Sequence, residues 1–235
     1  LEVLKPIWES KHETATRVRN RIEVILNAAK VRKLRDGENV AAWRGHLELL
    51  LPKLTGQKRK HHAALSWRDI GAFWQAIATH SDTSAQALKL TILTGVRTKE
   101  AIGAKWSEID FDNALWTIPA ERMKAKKEHR IPLSKTALDL LERIPKEENS
   151  PYLFTGQSGI KPISNMAMLM KCRGLDENKY KADGIGWRDA QGEVITVHGF
   201  RSTFRDWAAE NTSFANIVVE QALAHTIGNA VEAAY

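Results

Sequence analysis

Residues 196–210, TVHGFRSTFRDWAAE, combine apolar and cationic side chains at helical spacing. If a helix begins near Thr196, then His198, Arg201 and Arg205 fall within a sector of roughly 60°. We expect the adjacent stripe to be buried, and it consists of Phe200, Phe204, Trp207 and Ala208. A histidine and an arginine near a helix start can bind one anionic oxygen, helped by the helix dipole. On this stretch alone, the favoured interpretation is structural: the histidine is hydrogen-bonded at the helix start, and the arginine is solvated.

A second arginine stands at a predicted helix entrance in residues 93–103, LTGVRTKEAIG. Gly95 is expected to end one helix, and Arg97 to precede the next. The planar guanidinium of Arg97 suits bidentate phosphate binding, and Glu100 can hold it in orientation. The alternative is a surface pair at helical spacing, which contributes only about 0.2–0.5 kcal/mol.

A lysine-rich stretch precedes a predicted strand in residues 121–134, ERMKAKKEHRIPLS. Residues 107–133 carry short β-branched and aromatic runs bounded by turn residues, so we predict a small antiparallel sheet with this stretch at a hairpin tip. Such a tip can lie against a DNA phosphate, and a lysine there can donate a proton to a leaving oxygen. A solvated turn explains the same run of lysines.

The last stretch, LAHTIGNAVEAAY, places Tyr235 ten residues after His225. On an unbroken helix the two would be about 15 Å apart along the axis and on faces about 80° apart, so they could not share a site. A break at Gly228 and Asn229 followed by a short helix would fold the phenol back toward the histidine.

Composition indicates a folded protein with a polyanionic partner. The 235 residues are 43% apolar, include eight Trp and carry a net charge of +7, although a merely basic protein has the same balance. The single cysteine, Cys172, excludes a disulfide framework and a thiolate metal cluster. With no long apolar run and no signal-peptide pattern, we expect a soluble, cytoplasmic protein with no membrane partner.

The chain is expected to form two domains with a boundary near residue 60. Residues 13–31 place apolar side chains on one helix face, namely Val18, Ile22, Ile25, Leu26 and Ala29. A second helix is predicted over residues 40–52, ending at Pro52, before a basic linker that contains Lys58, Arg59 and Lys60. Beyond it we predict helices around the small sheet, with Ser66 and Asp69 capping the first of them, and a long exposed loop over residues 174–193.

The motifs of other phosphoryl-transfer sites are absent from the sequence. It contains no HExxH, no CxxC, no GxxxxGK[ST] and no Asp/Glu cluster at metal-ligand spacing. Phosphoryl chemistry would therefore use cationic side chains, and we expect neither a metal ion nor a cofactor.

In this order, TGVRTKE, MKAKKEHRIPLS, HGFRSTFRDWA and LAHTIGNAVEAAY resemble the tyrosine recombinase family, most closely the integrases of temperate phages and genomic islands. The resemblance implies a mainly α fold with a small antiparallel β-sheet (α+β), in which a partial helical core-binding domain (residues 1–60) precedes the catalytic domain (residues 61–235). It implies that Arg97 and Arg201 clamp the scissile phosphate, and that His198 and His225 bind it. By the same resemblance Lys124 is the general acid, with Lys126 and Lys127 not excluded, Glu100 is a supporting residue, and Tyr235 is the nucleophile.

The implied activity is site-specific DNA recombination through a 3′-phosphotyrosine intermediate, which integrates or excises a mobile element. The implied partners are double-stranded attachment sites, a homotetramer on DNA formed from a free monomer, and accessory DNA-bending and directionality proteins at the bacterial nucleoid. We expect the DNA-binding residues to be Arg17, Arg21, Arg32, Lys33, Arg35, Lys58, Arg59, Lys60 and Arg205. The family usually continues past the tyrosine and carries an N-terminal arm-binding domain, so we expect flanking residues outside this chain. A type IB topoisomerase, a non-catalytic DNA-binding regulator and a metal-dependent nuclease are the alternatives.

Overall fold

The structure is a computed structural model that describes residues 1–53 and 61–225. The chain divides into two compact units, Leu1–Lys60 and His61–Tyr235. The larger unit contains the helices and the sheet that carry the candidate site.

The N-terminal unit contains α1 (Lys5–Trp8), α2 (His12–Val31) and a 3₁₀ turn, Leu47–Leu49. Its small core consists of Leu4, Trp8, Ala15, Leu47 and Leu51. The Trp8 indole stacks on Trp43 with ring centroids 5.5 Å apart and donates a hydrogen bond to the Pro52 carbonyl (2.9 Å). These contacts hold the segment after α2 against the first two helices.

One prediction for this unit is wrong, and a second holds except at Ile25. No α-helix spans residues 40–52, because Gly45 adopts a left-handed φ of 69° and only the short 3₁₀ turn follows it. In α2, Ile25 of the predicted apolar stripe is 64% exposed. Arg19 is buried instead, since its guanidinium pairs with Glu23 (2.6 Å) and donates to the Ala41 carbonyl (2.9 Å).

The larger unit is mainly helical. Its helices are α3 (Ile70–Ala78), α4 (Thr83–Thr94), α5 (Thr98–Ile102), α6 (Lys135–Glu142), α7 (Ala167–Asp183), α8 (Gly199–Asn211) and α9 (Asn216–Ala222). The Asp82 carboxylate caps α4 by accepting the Ala85 amide (3.2 Å), and Gly95 ends this helix with a φ of 64°. Ser66 accepts the Arg68 amide (3.3 Å) in a 3₁₀ turn before α3, but the Asp69 side chain makes no cap bond.

A three-stranded antiparallel sheet interrupts the helices, as predicted. Its strands are β1 (Ile109–Asp110), β2 (Leu115–Ile118) and β3 (His129–Pro132), in the order β1-β2-β3. Trp116 pairs with Ile131 and Ile118 with His129, and this register buries Trp116, Ile118 and Ile131 in the main core. The predicted fold class, mainly α with a small antiparallel sheet, is confirmed.

The predicted loop over residues 174–193 is wrong for its first half, because α7 continues to Asp183. The exposed polar residues there include a Lys181–Glu177 ion pair of 2.7 Å at i,i+4 spacing, while Leu175 and Asp176 are buried. Cys172 is also buried in α7, and its burial raises the pKa of the thiol to about 12. In the part of the chain that the structure describes, no helix is long and apolar enough to span a membrane.

Candidate active site

Arg97 is held at the start of α5 by Glu100. The Glu100 carboxylate accepts the Arg97 amide (2.8 Å) and Nη1 of the Arg97 guanidinium (3.0 Å). Glu100 is buried, whereas the Arg97 side chain keeps 22% of its surface exposed. Nη2 of Arg97 donates to the Ala224 carbonyl (2.9 Å) just beyond α9. The predicted pair is therefore a partly buried ion pair that orients a cation toward the end of α9, which an isolated surface pair would not do.

Arg201 lies in the buried face of α8, where it is 3% exposed. Its guanidinium donates to the carbonyls of Gly95 and Leu223, and so joins the break after α4 to the end of α9. Desolvation, followed by the charge of Arg97, lowers the pKa of Arg201 to about 10, which leaves it protonated at neutral pH. The predicted sector of exposed cations is thus wrong for Arg201, and Trp207 of the predicted buried stripe is 43% exposed.

A chain of charged contacts fixes the tautomer of His225. Nη2 of Arg201 lies 2.8 Å from His225 Nε2, and since a guanidinium has no acceptor, Nε2 must accept. The proton is then on Nδ1, which donates to Glu220 of α9. Glu220 also pairs with Arg205 Nε (2.8 Å), so Arg205 is engaged by a carboxylate in the DNA-free protein.

Lys124 lies in the turn before β3 and is exposed. It lines an open cavity of about 330 Å³ together with Arg97, Ala125, Ala224 and His225. Lys126 instead adopts a left-handed φ of 55° and its ammonium lies 3.5 Å from the Glu121 carbonyl. Among the three lysines, the structure therefore brings Lys124 to the arginine and the histidine.

His198 is the N-cap residue of α8 and is exposed to solvent. Partial desolvation lowers the pKa of His198 to about 4, and the neighbouring His62, Arg201, Arg97 and His225 act in the same direction. Its imidazole is therefore neutral at pH 7 in the DNA-free protein, and it can donate one hydrogen bond.

Four predicted residues fall outside the described ranges, namely Lys58, Arg59, Lys60 and Tyr235. In the N-terminal unit, Arg17, Arg21, Arg32 and Lys33 are exposed, while Arg35 is partly buried. Arg17 pairs with Glu13 (2.5 Å), and Arg35 donates to the Glu38 carbonyl (2.8 Å).

Sequence reasoning missed two histidines near the site. His62 packs its ring against that of His198, with centroids 4.5 Å apart. His129 of β3 is partly buried, and desolvation lowers its pKa against the opposing charge of Glu100 and a hydrogen bond to the Ala222 carbonyl. Both histidines are visible in the sequence, since His61 and His62 follow the basic linker and His129 directly precedes RIPLS. Neither motif indicates which residues lie next to these histidines in the folded protein.

The assembled groups are suited to binding one anion with hydrogen-bond donors of fixed position. Two guanidiniums, an ammonium and two imidazoles come from the starts of α5 and α8, the β3 turn and the end of α9. Charge that develops on an anion here would meet the Arg97 guanidinium already oriented by Glu100, whereas the N–H of His225 is engaged by Glu220. Within residues 1–53 and 61–225, no group of three or more His, Cys, Asp and Glu side chains is arranged to hold a metal ion.

Comparison with known proteins identifies the family of this chain. The profile of the phage integrase family matches residues 63–235, and that of the phage integrase central domain matches residues 1–46. Prophage integrase IntZ of Escherichia coli (strain K12) is 31% identical over 96% of this chain, and the integrase of Enterobacteria phage P4 is 30% identical over 96%. The chain covers 51% of each of these proteins, and so spans about half the length of the curated relatives it matches.

Solved structures share the fold. A lambda integrase (75-356) dimer bound to a COC′ core site superposes with a TM-score of 0.63 at 17% identity, over 100% of this chain and 77% of that chain. The Tn1549 transposon integrase in complex with a circular intermediate DNA gives 0.64 at 14% identity, over 96% and 76%. Since the family profile covers most of the chain, the resemblance inferred from its motifs is confirmed: this chain belongs to the phage integrase family.

Proposed function

We propose that this chain is the DNA-cleaving and rejoining part of a site-specific recombinase, which integrates or excises a mobile element through a 3′-phosphotyrosine intermediate. The observation that carries the proposal is the convergence of Arg97, Lys124 and His225 on one open cavity, with Arg201 bonded to His225 behind it. Anionic phosphate is the DNA group that such a set of donors recognises.

In the proposed reaction, Arg97 and Arg201 bind the non-bridging oxygens of the scissile phosphate. The Tyr235 phenol has an ordinary pKa of about 10, so its proton must pass to a base as its oxygen attacks phosphorus. We assign that role to the neutral imidazole of His198, which has one acceptor nitrogen besides its N–H. Negative charge then grows on the phosphoryl oxygens, where the guanidiniums and the N–H of His198 stabilise it. His225 would join them once its ring exchanges Glu220 or Arg201 for the phosphate. The result is a covalent bond between the tyrosine oxygen and the 3′ phosphate.

The other product of cleavage is a free 5′ hydroxyl. The bond from phosphorus to the 5′ oxygen breaks, and Lys124 donates a proton to that oxygen. The phosphotyrosine keeps the phosphoester bond, so attack by the 5′ hydroxyl of another strand regenerates the tyrosine and needs no external energy source.

We propose double-stranded attachment sites as the substrate. The N-terminal unit would act as a core-binding domain, with phosphate contacts from Arg17, Arg21, Arg32, Lys33, Arg35 and the linker residues Lys58, Arg59 and Lys60. Arg205 would exchange Glu220 for a phosphate. Lambda integrase has been solved as a tetramer bound to a Holliday junction, which supports a homotetramer on DNA; we propose a monomer off DNA, accessory bending and directionality proteins, and action at the bacterial nucleoid in the cytoplasm.

The test is a covalent-adduct assay on the full-length protein with a nicked DNA substrate that traps the intermediate. We expect one protein–DNA adduct that survives denaturation, and mass spectrometry should place the DNA on Tyr235. Tyr235→Phe should abolish the adduct, whereas Tyr180→Phe on the exposed part of α7 should leave it unchanged. An adduct of equal yield in Tyr235→Phe would refute the assignment.

Two further assays separate the alternatives. Relaxation of plasmids that lack paired attachment sites would favour a type IB topoisomerase, and sequence-specific binding without any adduct would favour a DNA-binding regulator. A metal-dependent nuclease would stop in EDTA, whereas the proposed recombinase would continue.

A further inference from the structure

The segment of residues 61–65, which we call the strap, crosses the start of α8. The Ala63 carbonyl accepts hydrogen bonds from the Thr196 amide (3.0 Å) and from the Thr196 hydroxyl (3.3 Å). The Leu65 carbonyl accepts the Thr203 hydroxyl (2.6 Å), and both Ala63 and Leu65 are buried. The strap is therefore fixed at two points, by Thr196 just before α8 and by Thr203 within it.

The strap also approaches α8 more closely than a side chain would allow. A Cβ built on Gly199 would lie 2.0 Å from the Ala63 carbonyl oxygen and 2.8 Å from the Ala64 Cα. Both are backbone atoms of the strap, which cannot turn aside as a flexible side chain can. The glycine directly after His198 thus permits the strap to reach the active-site end of α8.

This path brings the His62 ring onto the His198 ring. The centroids are 4.5 Å apart and the planes meet at 61°, an edge-to-face arrangement. Within the described part of the chain, no hydrogen bond holds the His198 ring, and His62 is the residue in ring contact with it. His62 therefore limits the rotation of an imidazole that is otherwise open to solvent.

We propose that His62 is a positioning residue of the active site, whose ring holds the His198 imidazole in the orientation that presents its N–H to the scissile phosphate. This inference rests on the proposed recombinase function. Small errors in the placement of a donor are costly, since a shift of about 1 Å can lower a rate by about 100-fold.

The surroundings of His198 give this contact a second, measurable effect. The groups that lower the pKa of His198 besides desolvation are His62, Arg201, Arg97 and His225. Removal of the His62 ring would hydrate one side of His198 and remove one of the neighbours that lower its pKa, so the pKa of His198 should rise toward its ordinary value of 6.5.

The experiment compares three variants of the full-length protein. His62→Ala removes the ring, His62→Phe keeps a ring without a titratable nitrogen, and His61→Ala is the control, because His61 is exposed and makes no ring contact within the described residues. The first readout is the single-turnover rate of adduct formation at saturating DNA. The second is the pH titration of the His198 ring by NMR in the DNA-free protein.

We expect His62→Ala to slow adduct formation about three- to tenfold, the range that one ring pair can supply, with the DNA dissociation constant nearly unchanged. His62→Phe should restore most of the rate, and His61→Ala should equal the parent. The pKa of His198 should rise most in His62→Ala. A His62→Ala variant with the parental rate and the parental His198 titration would overturn the inference.

The two readouts separate this inference from the proposed function. If the parent protein forms no adduct at Tyr235, the proposed function fails, yet the NMR titration still shows whether His62 contacts His198. If the adduct forms but all variants behave alike, the recombinase function stands and the role of His62 is refuted. If His62→Phe is as slow as His62→Ala, positioning by ring contact is wrong.

Discussion

Gly199→Ala tests the closest packing in the active-site region. The new Cβ would lie 2.0 Å from the Ala63 carbonyl oxygen, and an ordinary contact needs at least 3.4 Å. The strap must therefore retreat by about 1.4 Å, because the clash is with backbone. A displacement of this size breaks the two hydrogen bonds from Thr196 to Ala63, which are 3.0 and 3.3 Å long.

The cost follows from these contacts. Two hydrogen bonds contribute about 1 kcal/mol each, and forcing a methyl group into a packed region costs about 1–3 kcal/mol. The better helix propensity of alanine returns about 0.5–1 kcal/mol. We expect a net loss of about 2–4 kcal/mol of unfolding free energy, and slower adduct formation because His198 and His62 separate.

The assay is urea unfolding combined with amide hydrogen exchange at Thr196. Gly174→Ala in α7 is the matched control, since its Cβ would meet nothing within 4 Å and its φ is not in the left-handed region. This control should be neutral or more stable by up to about 1 kcal/mol. If Gly199→Ala is as stable as Gly174→Ala and keeps the Thr196 amide protected, the strap does not lie against α8 as described.

Three further outcomes are expected. Glu100→Gln should lower the unfolding free energy by about 1–3 kcal/mol and slow adduct formation, since the charge that orients Arg97 is lost; unchanged urea midpoint and rate would contradict this. Lys124→Ala should slow cleavage of ordinary DNA more than Lys127→Ala does. A DNA substrate with sulfur in place of the bridging 5′ oxygen should restore the rate of Lys124→Ala, because the sulfur leaves without taking up a proton. The folded pKa of His198 is about 4, so the contribution of its neutral ring to stability is complete above pH 6.5 and is lost as pH falls toward 4. The urea midpoint should therefore be lower at pH 5 than at pH 7. His198→Gln should remove the part of this decrease that comes from His198.

The sequence predicted elements whose signals are local. Gly95 ends α4 through a backbone preference that does not depend on the rest of the fold, and this predicted end is confirmed. The hairpin was predictable because β-branched residues alternate around turn residues in residues 107–133. The errors arose where partners were distant or where a polar sequence fitted both a loop and a helix. Residues 174–183 are polar enough for a loop, yet their charges form two i,i+4 ion pairs within α7.

The candidate site was predictable in its members but not in its contacts. The four sequence motifs identified the arginines, histidines and lysine of the candidate site. Helical periodicity then predicted that Arg201 is an exposed cation. The structure buries Arg201, because its guanidinium finds carbonyl acceptors on Gly95 and Leu223, more than 20 residues away in either direction. Helical periodicity predicts that the polar face of a helix is exposed. This prediction fails where a buried cation donates its hydrogen bonds to backbone carbonyls of other elements.

The contacts of the two arginines tie the site to the segment that leads to the predicted nucleophile. Arg97 donates to the Ala224 carbonyl and Arg201 to the Leu223 carbonyl, so both guanidiniums hold the end of α9 while no phosphate is bound. Each guanidinium has five donors, and Nε of Arg201 is buried without a partner among the described residues. A phosphate that binds the remaining donors would therefore strengthen a set of contacts that already fixes His225, ten residues before Tyr235. If the scissile phosphate binds these arginines as proposed, its binding is coupled to the position of residues 223–225 through the same two side chains. A lysine at either position, with its single ammonium, would then weaken both together.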